Sequence, residues 1–221
     1  MINRKSNKYL NPIVIAEIGC NHQGSLKKAK ILIEAAAAAG IKPIICRQER
    51  VGVGIADGYA RTTRGNPPGV FAMQYGPGAE NAYAGVATAY ADSVPVLFLP
   101  LGHPLKRDRV FPHFSSVDSF KTITKSVEQI NEPDRVIDTM RRAFSRLKNG
   151  RPGPVMVEIP SDIGNAELDS SILGAYSSSN PALSSANPSD VMTAAKLLLE
   201  AKNPILYSGQ GVLYAEASEE L

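Results

Sequence analysis

Short apolar segments alternate with amphipathic ones along most of this chain, and no other feature constrains its fold as strongly. Continuous apolar runs predict strands at residues 13–18, 43–46, 69–74, 95–99 and 154–159. Between them, apolar residues recur every three or four positions, which predicts helices bounded by capping residues or glycines. Strands that alternate with helices are typical of a parallel sheet with helices on both faces. The predicted fold class is therefore α/β, with a doubly wound, mostly parallel sheet.

The regular alternation is interrupted in two places. Residues 102–131 have weak periodicity, and a loop of this length is usually functional or disordered. Residues 166–187 are rich in Ser, Asn, Ala and Pro, which predicts a linker. A helix from Ser189 and a strand over residues 204–208 follow. These two elements cannot bury a core alone, so we expect a truncated second α/β domain.

Composition and charge exclude several classes of protein. The net charge is only +3, and the basic runs at residues 106–109 and 141–151 contain a single aromatic residue, Phe144. We therefore expect solvated faces or an anion-facing loop there, and no nucleic-acid partner. The longest apolar run, residues 31–39, is too short to cross a bilayer, so no membrane association is expected. Only Cys20 and Cys46 are present, without a leader or metal-ligand spacing, which favours a cytoplasmic protein without a metal site.

A carboxylate stands just after the second predicted strand. Glu49 follows the apolar residues 43–46 and begins a predicted helix that contains Gly52 and Gly54. Ligands of parallel α/β sheets bind outside the carboxyl ends of the strands, and glycines permit close approach. Glu49 is therefore a candidate site residue. The alternative is that it only complements the positive end of the helix dipole.

A second candidate follows the third predicted strand, where Gly76-Pro77-Gly78-Ala79-Glu80-Asn81 opens an Ala-rich helix. Backbone amides at a helix start favour a polar or anionic ligand, although a simple tight turn also explains the glycines. Glu17, Asn21 and His22 follow the first strand and could either bind a polar ligand or only make loop hydrogen bonds. Gly209-Gln210-Gly211 matches only part of a dinucleotide fingerprint.

Residues 41–163 carry many ordered motifs that together point to one family. The motifs include Arg47-Gln48-Glu49, Ala56-Asp57-Gly58-Tyr59-Ala60-Arg61, Gly76-Pro77-Gly78-Ala79-Glu80-Asn81, Asp92-Ser93-Val94-Pro95, Ile123-Thr124-Lys125 and Gly150-Arg151-Pro152-Gly153-Pro154-Val155. In these motifs the chain resembles the pyrimidine-binding domain of thiamine-diphosphate-dependent enzymes of the acetolactate synthase type. The residues from 187 onward resemble the start of that family's central domain.

The resemblance implies a mechanism and a cofactor. Glu49 would hydrogen-bond a ring nitrogen of the cofactor's aminopyrimidine and so promote attack of the cofactor on a 2-oxo acid. Gly76, Pro77, Gly78 and Asn81 match the segment that lines this ring. The diphosphate and its Mg²⁺ are held in the family by a separate domain, through an acidic motif that this sequence lacks. We therefore expect the chain alone to be inactive, and we expect a homodimer or higher oligomer through the pyrimidine domain.

Two positions depart from the family pattern. The family usually has a histidine before the glutamate, whereas this chain has Gln48, so we expect hydrogen bonding without proton transfer there. Many relatives have Phe-Gln in the long loop, whereas this chain has Phe114-Ser115. The group that orients the substrate is therefore expected to differ, which suggests a less common branch of the family.

Residues 12–39 resemble a different family, the sialic acid synthases, through the run from Ala16 to Ser25. The predicted domains are a sialic-acid-synthase-like βα unit packed as first strand and helix (1–40), a pyrimidine-binding domain (41–165), a linker (166–187) and a truncated central domain (188–221). Three functions remain open. They are a fragment of a thiamine-diphosphate-dependent enzyme, a non-catalytic dimerising module or inactive hybrid, and, remotely, a sialic-acid-synthase-like condensing enzyme that lacks seven of its eight βα units.

Overall fold

A six-stranded parallel sheet forms the centre of the first of two compact units, residues 1–180. The computed structural model describes residues 14–16, 27, 30, 34, 44–177, 180–182 and 184–221. The strands are β1 Val14–Ala16, β2 Ile44–Ile45, β3 Gly69–Met73, β4 Val96–Gly102, β5 Ser126–Gln129 and β6 Val155–Pro160. They are ordered β2-β1-β3-β4-β6-β5, and every neighbouring pair is parallel. The predicted α/β fold class is confirmed.

Helices connect the strands of this unit. They are α1 Glu49–Thr62, α2 Pro77–Ala91, α3 Ser116–Ser119, α4 Val136–Lys148 and α5 Ser161–Gly164. Single 3₁₀ turns lie at Leu105–Arg107, Phe120–Thr122, Pro133–Arg135 and Ser170–Ala175. Lys27, Lys30 and Glu34 are also helical and exposed. No helix among the described residues is long and apolar enough to cross a bilayer.

Each face of the sheet is buried by a different set of helices. Phe71, Phe98 and Met156 align across β3, β4 and β6, and all three are fully buried in one apolar cluster. This cluster also contains the inward faces of α1 and α2. The neighbouring row of Val70, Leu97 and Val155 points to the other face, where α4 covers it. Burial of both faces explains why these strands read as continuous apolar runs.

Helix α1 lies unusually close to the sheet. A Cβ atom placed on Gly52 would lie 2.2 Å from the ring of Phe71, so only glycine allows this approach. Gly85 of α2 is needed for the same reason, because its Cβ would lie 2.4 Å from the Val53 side chain. These contacts fix the start of α1, and with it Glu49, relative to the sheet.

Two of the local predictions are wrong. The loop predicted over residues 102–131 contains strand β5, helix α3 and two 3₁₀ turns. All four β5 residues are half-buried, and within the described ranges the strand pairs with β6 alone, so no apolar run marks it in the sequence. The strand predicted over residues 204–208 is not formed. Ile205 and Tyr207 there are 91% and 99% exposed, so no neighbouring strand or helix covers them.

Residues 181–221 form the second unit. Helix α6 spans Pro188–Glu200 and is capped by Asn187, whose side-chain oxygen accepts a 3.0 Å hydrogen bond from the Ser189 amide. Such a bond satisfies one of the free amides at the helix start. Helix α7 is a single turn at Gly211–Tyr214 and follows Gly209-Gln210. Within the region predicted as a linker, residues 170–175 form a 3₁₀ turn.

Candidate active site

The site lies where the chain reverses its direction across the sheet. β1 lies between β2 and β3, so the chain moves to one side of β1 for its second strand and to the other side for its third. In open α/β sheets such a switch point forms a crevice outside the carboxyl ends of the strands. Glu49 follows β2 and Gly76 follows β3, so both candidate segments lie at this crevice. Glu17, Asn21 and His22, which follow β1, lie outside the described residues.

Glu49 is brought together with Gly78 and Asn81. The side chain of Glu49 is half-buried at the first position of α1, and its Oε2 atom accepts a 3.2 Å hydrogen bond from Asn81 Nδ2. Among the described residues, no donor reaches the other oxygen, Oε1. Glu49 thus has one oxygen oriented by the protein and one available to a ligand.

The turn before α2 leaves space beside this carboxylate. Gly76 has a φ of +57°, a conformation that favours glycine, and no atom lies within 4 Å of where its Cβ would be. Gly78 is required by close packing, because its Cβ would lie 2.9 Å from Gln74 Cβ and 3.2 Å from Glu49 Oε1. Pro77 occupies the first position of α2, where its missing N–H has no cost.

The two positions that depart from the family pattern are both at helix starts. Gln48 is exposed and precedes α1, and its carbonyl accepts bonds from the Val51 and Gly52 amides. Ser115 precedes α3, and its hydroxyl accepts a bond from the Asp118 amide and donates one to the Asp118 carboxylate. The Ser115 side chain is therefore used in capping, whereas Phe114 lines a pocket.

That pocket has a volume of about 360 Å³ and shares Gly76 and Pro77 with the turn. Its other lining residues are Tyr75, Glu80, His103, Arg107, Pro112, His113 and Phe114. The rings of His103 and His113 lie 4.1 Å apart, and Tyr75 lies 4.5 Å from His103. Arg107 Nη2 lies 3.2 Å from His113 Nε2. When the proton of the His113 imidazole is on Nδ1, Nε2 accepts a hydrogen bond from Arg107.

Arg107 brings a positive charge to the pocket, and Glu80 also lines it. Burial lowers the pKa of His103, and the nearby groups His113 and Arg107 lower it further while Asp108 opposes them, so the neutral imidazole is favoured. We refer to His103, Arg107 and His113 as the cationic cluster. The sequence indicated Arg107 only as part of a basic run. The signal was missed because the loop brings residues 103 and 113 together only after it folds.

A buried carboxyl group holds both ends of the loop that carries the cluster. Glu158 of β6 is 5% exposed and accepts hydrogen bonds from Ser116 Oγ and, at 2.7 Å, from Gln129 Nε2. A Cβ on Gly102 would lie 2.9 Å from Glu158 Oε1, so the strand before the loop also packs on this carboxyl group. Burial raises the pKa of Glu158, and its two hydrogen bonds oppose that shift. A charged residue inside an apolar strand was the sequence signal for this site.

Several of the family motifs have structural roles. Arg61 binds Asp57 at 2.7 Å and Asp92 at 2.8 Å, which joins the ends of α1 and α2. Lys125 donates to the carbonyls of Arg146 and Asn149 at the end of α4, where a positive charge is favourable. The motif residues that converge on the crevice are therefore a subset, namely Glu49, Gly76, Pro77, Gly78 and Asn81.

Comparison with known proteins identifies the domain. Residues 24–128 match the model of the family described as "Thiamine pyrophosphate enzyme, N-terminal TPP binding domain". The match begins before residue 41, so it includes part of the segment that resembles the sialic acid synthases. The boundary near residue 40 stays a prediction.

Similar proteins include several acetolactate synthases. A probable acetolactate synthase large subunit of Methanocaldococcus jannaschii is 36% identical over 188 residues, which is 80% of this chain and 31% of that protein. An acetolactate synthase of Arthrospira platensis is 35% identical over 202 residues, or 86% of this chain and 33% of that protein. The acetolactate synthase large subunit of Haemophilus influenzae is 34% identical over 194 residues, or 82% of this chain and 32% of that protein.

The chain spans about a third of the length of these relatives. The matched region contains β3, β4, α1 and α2, together with both segments that form the crevice. The fold, the family match and the ordered motifs agree. Residues 24–128 therefore correspond to the N-terminal, pyrimidine-binding domain of the thiamine pyrophosphate enzymes.

Proposed function

We propose that this chain supplies the pyrimidine-binding part of an acetolactate synthase-like enzyme, which uses thiamine diphosphate for carbon–carbon bond chemistry on 2-oxo acids. The observation that supports this most directly is the geometry of Glu49. Its carboxylate lies at the switch point of a parallel sheet, oriented by Asn81 and with Oε1 open to a ligand. A protonated ring nitrogen could donate a hydrogen bond to this oxygen.

The residues of the crevice fit an aminopyrimidine ring. Open space beside Gly76 permits close approach of a flat ring to the backbone, and Gly78 keeps Glu49 Oε1 free of a neighbouring Cβ. The cofactor, when bound, supplies a site that stabilises the electrons left after bond cleavage in a 2-oxo acid. Glu49 would accept a hydrogen bond from the ring at Oε1, while Asn81 orients the carboxylate through its hydrogen bond to Oε2.

We further propose that activity requires a segment that binds the diphosphate and Mg²⁺. Within the described ranges, no group of three or more His, Cys, Asp and Glu side chains could hold a metal ion. One carboxylate and a turn give only a fraction of the affinity that phosphate and metal contacts provide. The working unit is proposed to be a homodimer or higher oligomer, as the family resemblance implies.

Ligand-observed NMR of the 221-residue chain with thiamine diphosphate and Mg²⁺ tests the role of Glu49. Loss of one charge-assisted hydrogen bond in Glu49→Gln should weaken binding about 10-fold or more, since such bonds contribute about 1.5–3 kcal/mol. Glu132→Gln, at an exposed carboxylate outside the crevice, is the matched control and should bind as the parent does. Carbon dioxide release from pyruvate should stay at background in all three samples.

Three results would contradict the proposal. Equal binding by Glu49→Gln and the parent chain would remove Glu49 from the cofactor site. Dimerisation without any cofactor binding would favour the non-catalytic module. Release of carbon dioxide by the chain at the rate of an enzyme would show that no further segment is needed.

A further inference from the structure

We propose that the cationic cluster binds a second acidic group of the substrate, so that the preferred substrates are 2-oxo acids with a distal carboxylate or similar oxyanion. The inference rests on the proposed function, because it places the 2-oxo end of the substrate at the cofactor. It concerns the pocket of about 360 Å³ beside the crevice, which is within the size range of small-molecule sites.

Arg107 is the first reason. Its neighbour Arg109 lies 3.8 Å from Asp108 and 3.6 Å from Asp118, so that arginine is already paired with carboxylates. Across the described part of the chain, no carboxylate lies within ion-pair distance of Arg107, whose Nη2 instead faces His113. A guanidinium that lines a pocket without a carboxylate partner is suited to bind an oxyanion, often with two parallel hydrogen bonds.

The paired histidines are the second reason. The rings of His103 and His113 lie beside Arg107 at a tilt of 42°, so three groups that can donate hydrogen bonds face one small space. Glu80 is the opposing charge: it is the acidic residue that lines this pocket, and it lies on α2 instead of the loop. Its repulsion should make the affinity for an anion moderate.

The position of the pocket is the third reason. Gly76 and Pro77 line the pocket, and they are followed by Gly78, whose Cβ would lie 3.2 Å from Glu49 Oε1 in the crevice. A substrate whose 2-oxo group is at the cofactor can therefore extend its far end toward the loop at residues 103–114. Phe114 lines the pocket with an apolar ring, and the Ser115 side chain is used in capping. The distal group of the substrate is left to the cationic cluster.

Two 2-oxo acids of equal chain length isolate the distal group. Isothermal titration of the 221-residue chain with 2-oxoglutarate and with 2-oxovalerate, without cofactor, compares a carboxylate with a methyl group. We expect 2-oxoglutarate to bind about 10-fold more tightly, which corresponds to about 1.4 kcal/mol. Arg107→Gln should remove most of this preference, whereas Arg109→Gln should retain it. Glu80→Gln should strengthen 2-oxoglutarate binding, because it removes an acidic group that lines the pocket.

The outcomes separate this inference from the proposed function. The titration contains no cofactor, so a failure of the proposed role of Glu49 in cofactor binding would leave the measured preference for 2-oxoglutarate unchanged. Equal binding of the two acids by the parent chain, or an unchanged preference in a folded Arg107→Gln variant, would overturn the inference alone. Inorganic pyrophosphate provides a further comparison. If it binds more tightly than 2-oxoglutarate and depends on Arg107, the pocket is a phosphate site and the inference fails.

Discussion

Glu158→Gln exchanges a buried carboxyl group for an amide of nearly the same shape, and it should make the stability of the chain less dependent on pH. Burial raises the pKa of Glu158, so the folded chain keeps this proton at pH values where the unfolded chain has released it. Stability from this group is therefore fully present below the ordinary pKa of a glutamate. It is lost as pH rises from that value through the raised pKa of the folded state.

The magnitude follows from the transfer of a single proton. One proton bound only by the folded state gives a limiting slope of about 1.4 kcal/mol per pH unit. For a unit of this size, 1 kcal/mol shifts the melting temperature by about 2–4 °C, so the slope is about 3–6 °C per pH unit. In the variant, the amide oxygen of the new side chain can still accept a hydrogen bond from Ser116 Oγ. Its amide nitrogen can donate to Gln129 once the Gln129 amide has flipped, so both hydrogen bonds are retained.

Thermal unfolding followed by circular dichroism between about pH 5 and about pH 8 measures this slope. We expect the stability difference between Glu158→Gln and the parent to shift in favour of the variant as pH rises. The exposed Glu132→Gln variant should follow the parent at every pH. Parallel pH profiles for Glu158→Gln and the parent would show that Glu158 is ionised in the folded chain and would refute the reasoning.

The remaining predictions concern glycines at the crevice. Gly52→Ala should lower the free energy of unfolding by about 1–3 kcal/mol, because the added Cβ would overlap the Phe71 ring. Gly58→Ala lies in the same helix, where the added Cβ would meet no atom. It should leave the free energy of unfolding unchanged or raise it by up to about 1 kcal/mol. Equal effects of the two in urea denaturation would contradict the close packing. Gly78→Ala should weaken thiamine diphosphate binding more than Gly54→Ala, whose Cβ meets no atom, and titration of both variants checks this.

The sheet was predictable because both of its faces are buried. Strands such as β4 and β6 are apolar along their length, so they are visible in the sequence without knowledge of their partners. β5 was missed because it is an edge strand with half-buried side chains. The segment at residues 204–208 was predicted as a strand because it is apolar, but strand formation also requires a neighbouring strand, and none pairs with it among the described residues.

The crevice was predictable for a related reason. Glu49 and the turn at Gly76 each follow a strand directly, and the carboxyl ends of parallel strands meet at one edge. The cationic cluster could not be predicted in this way, because His103 and His113 approach only through the path of a long irregular loop. The contacts of Glu158 likewise join β4, α3, β5 and β6, and no local pattern relates these segments.

The most direct test of the central claim is an NMR measurement of the hydrogen bond proposed between Glu49 and the cofactor ring. A thiamine diphosphate labelled with ¹⁵N at the aminopyrimidine ring nitrogen reports by its chemical shift whether that nitrogen is hydrogen-bonded to a carboxyl group. We predict a large shift on binding to the parent chain, and a much smaller one with Glu49→Gln at matched occupancy. The same shift in both proteins would show that this carboxylate does not contact the ring.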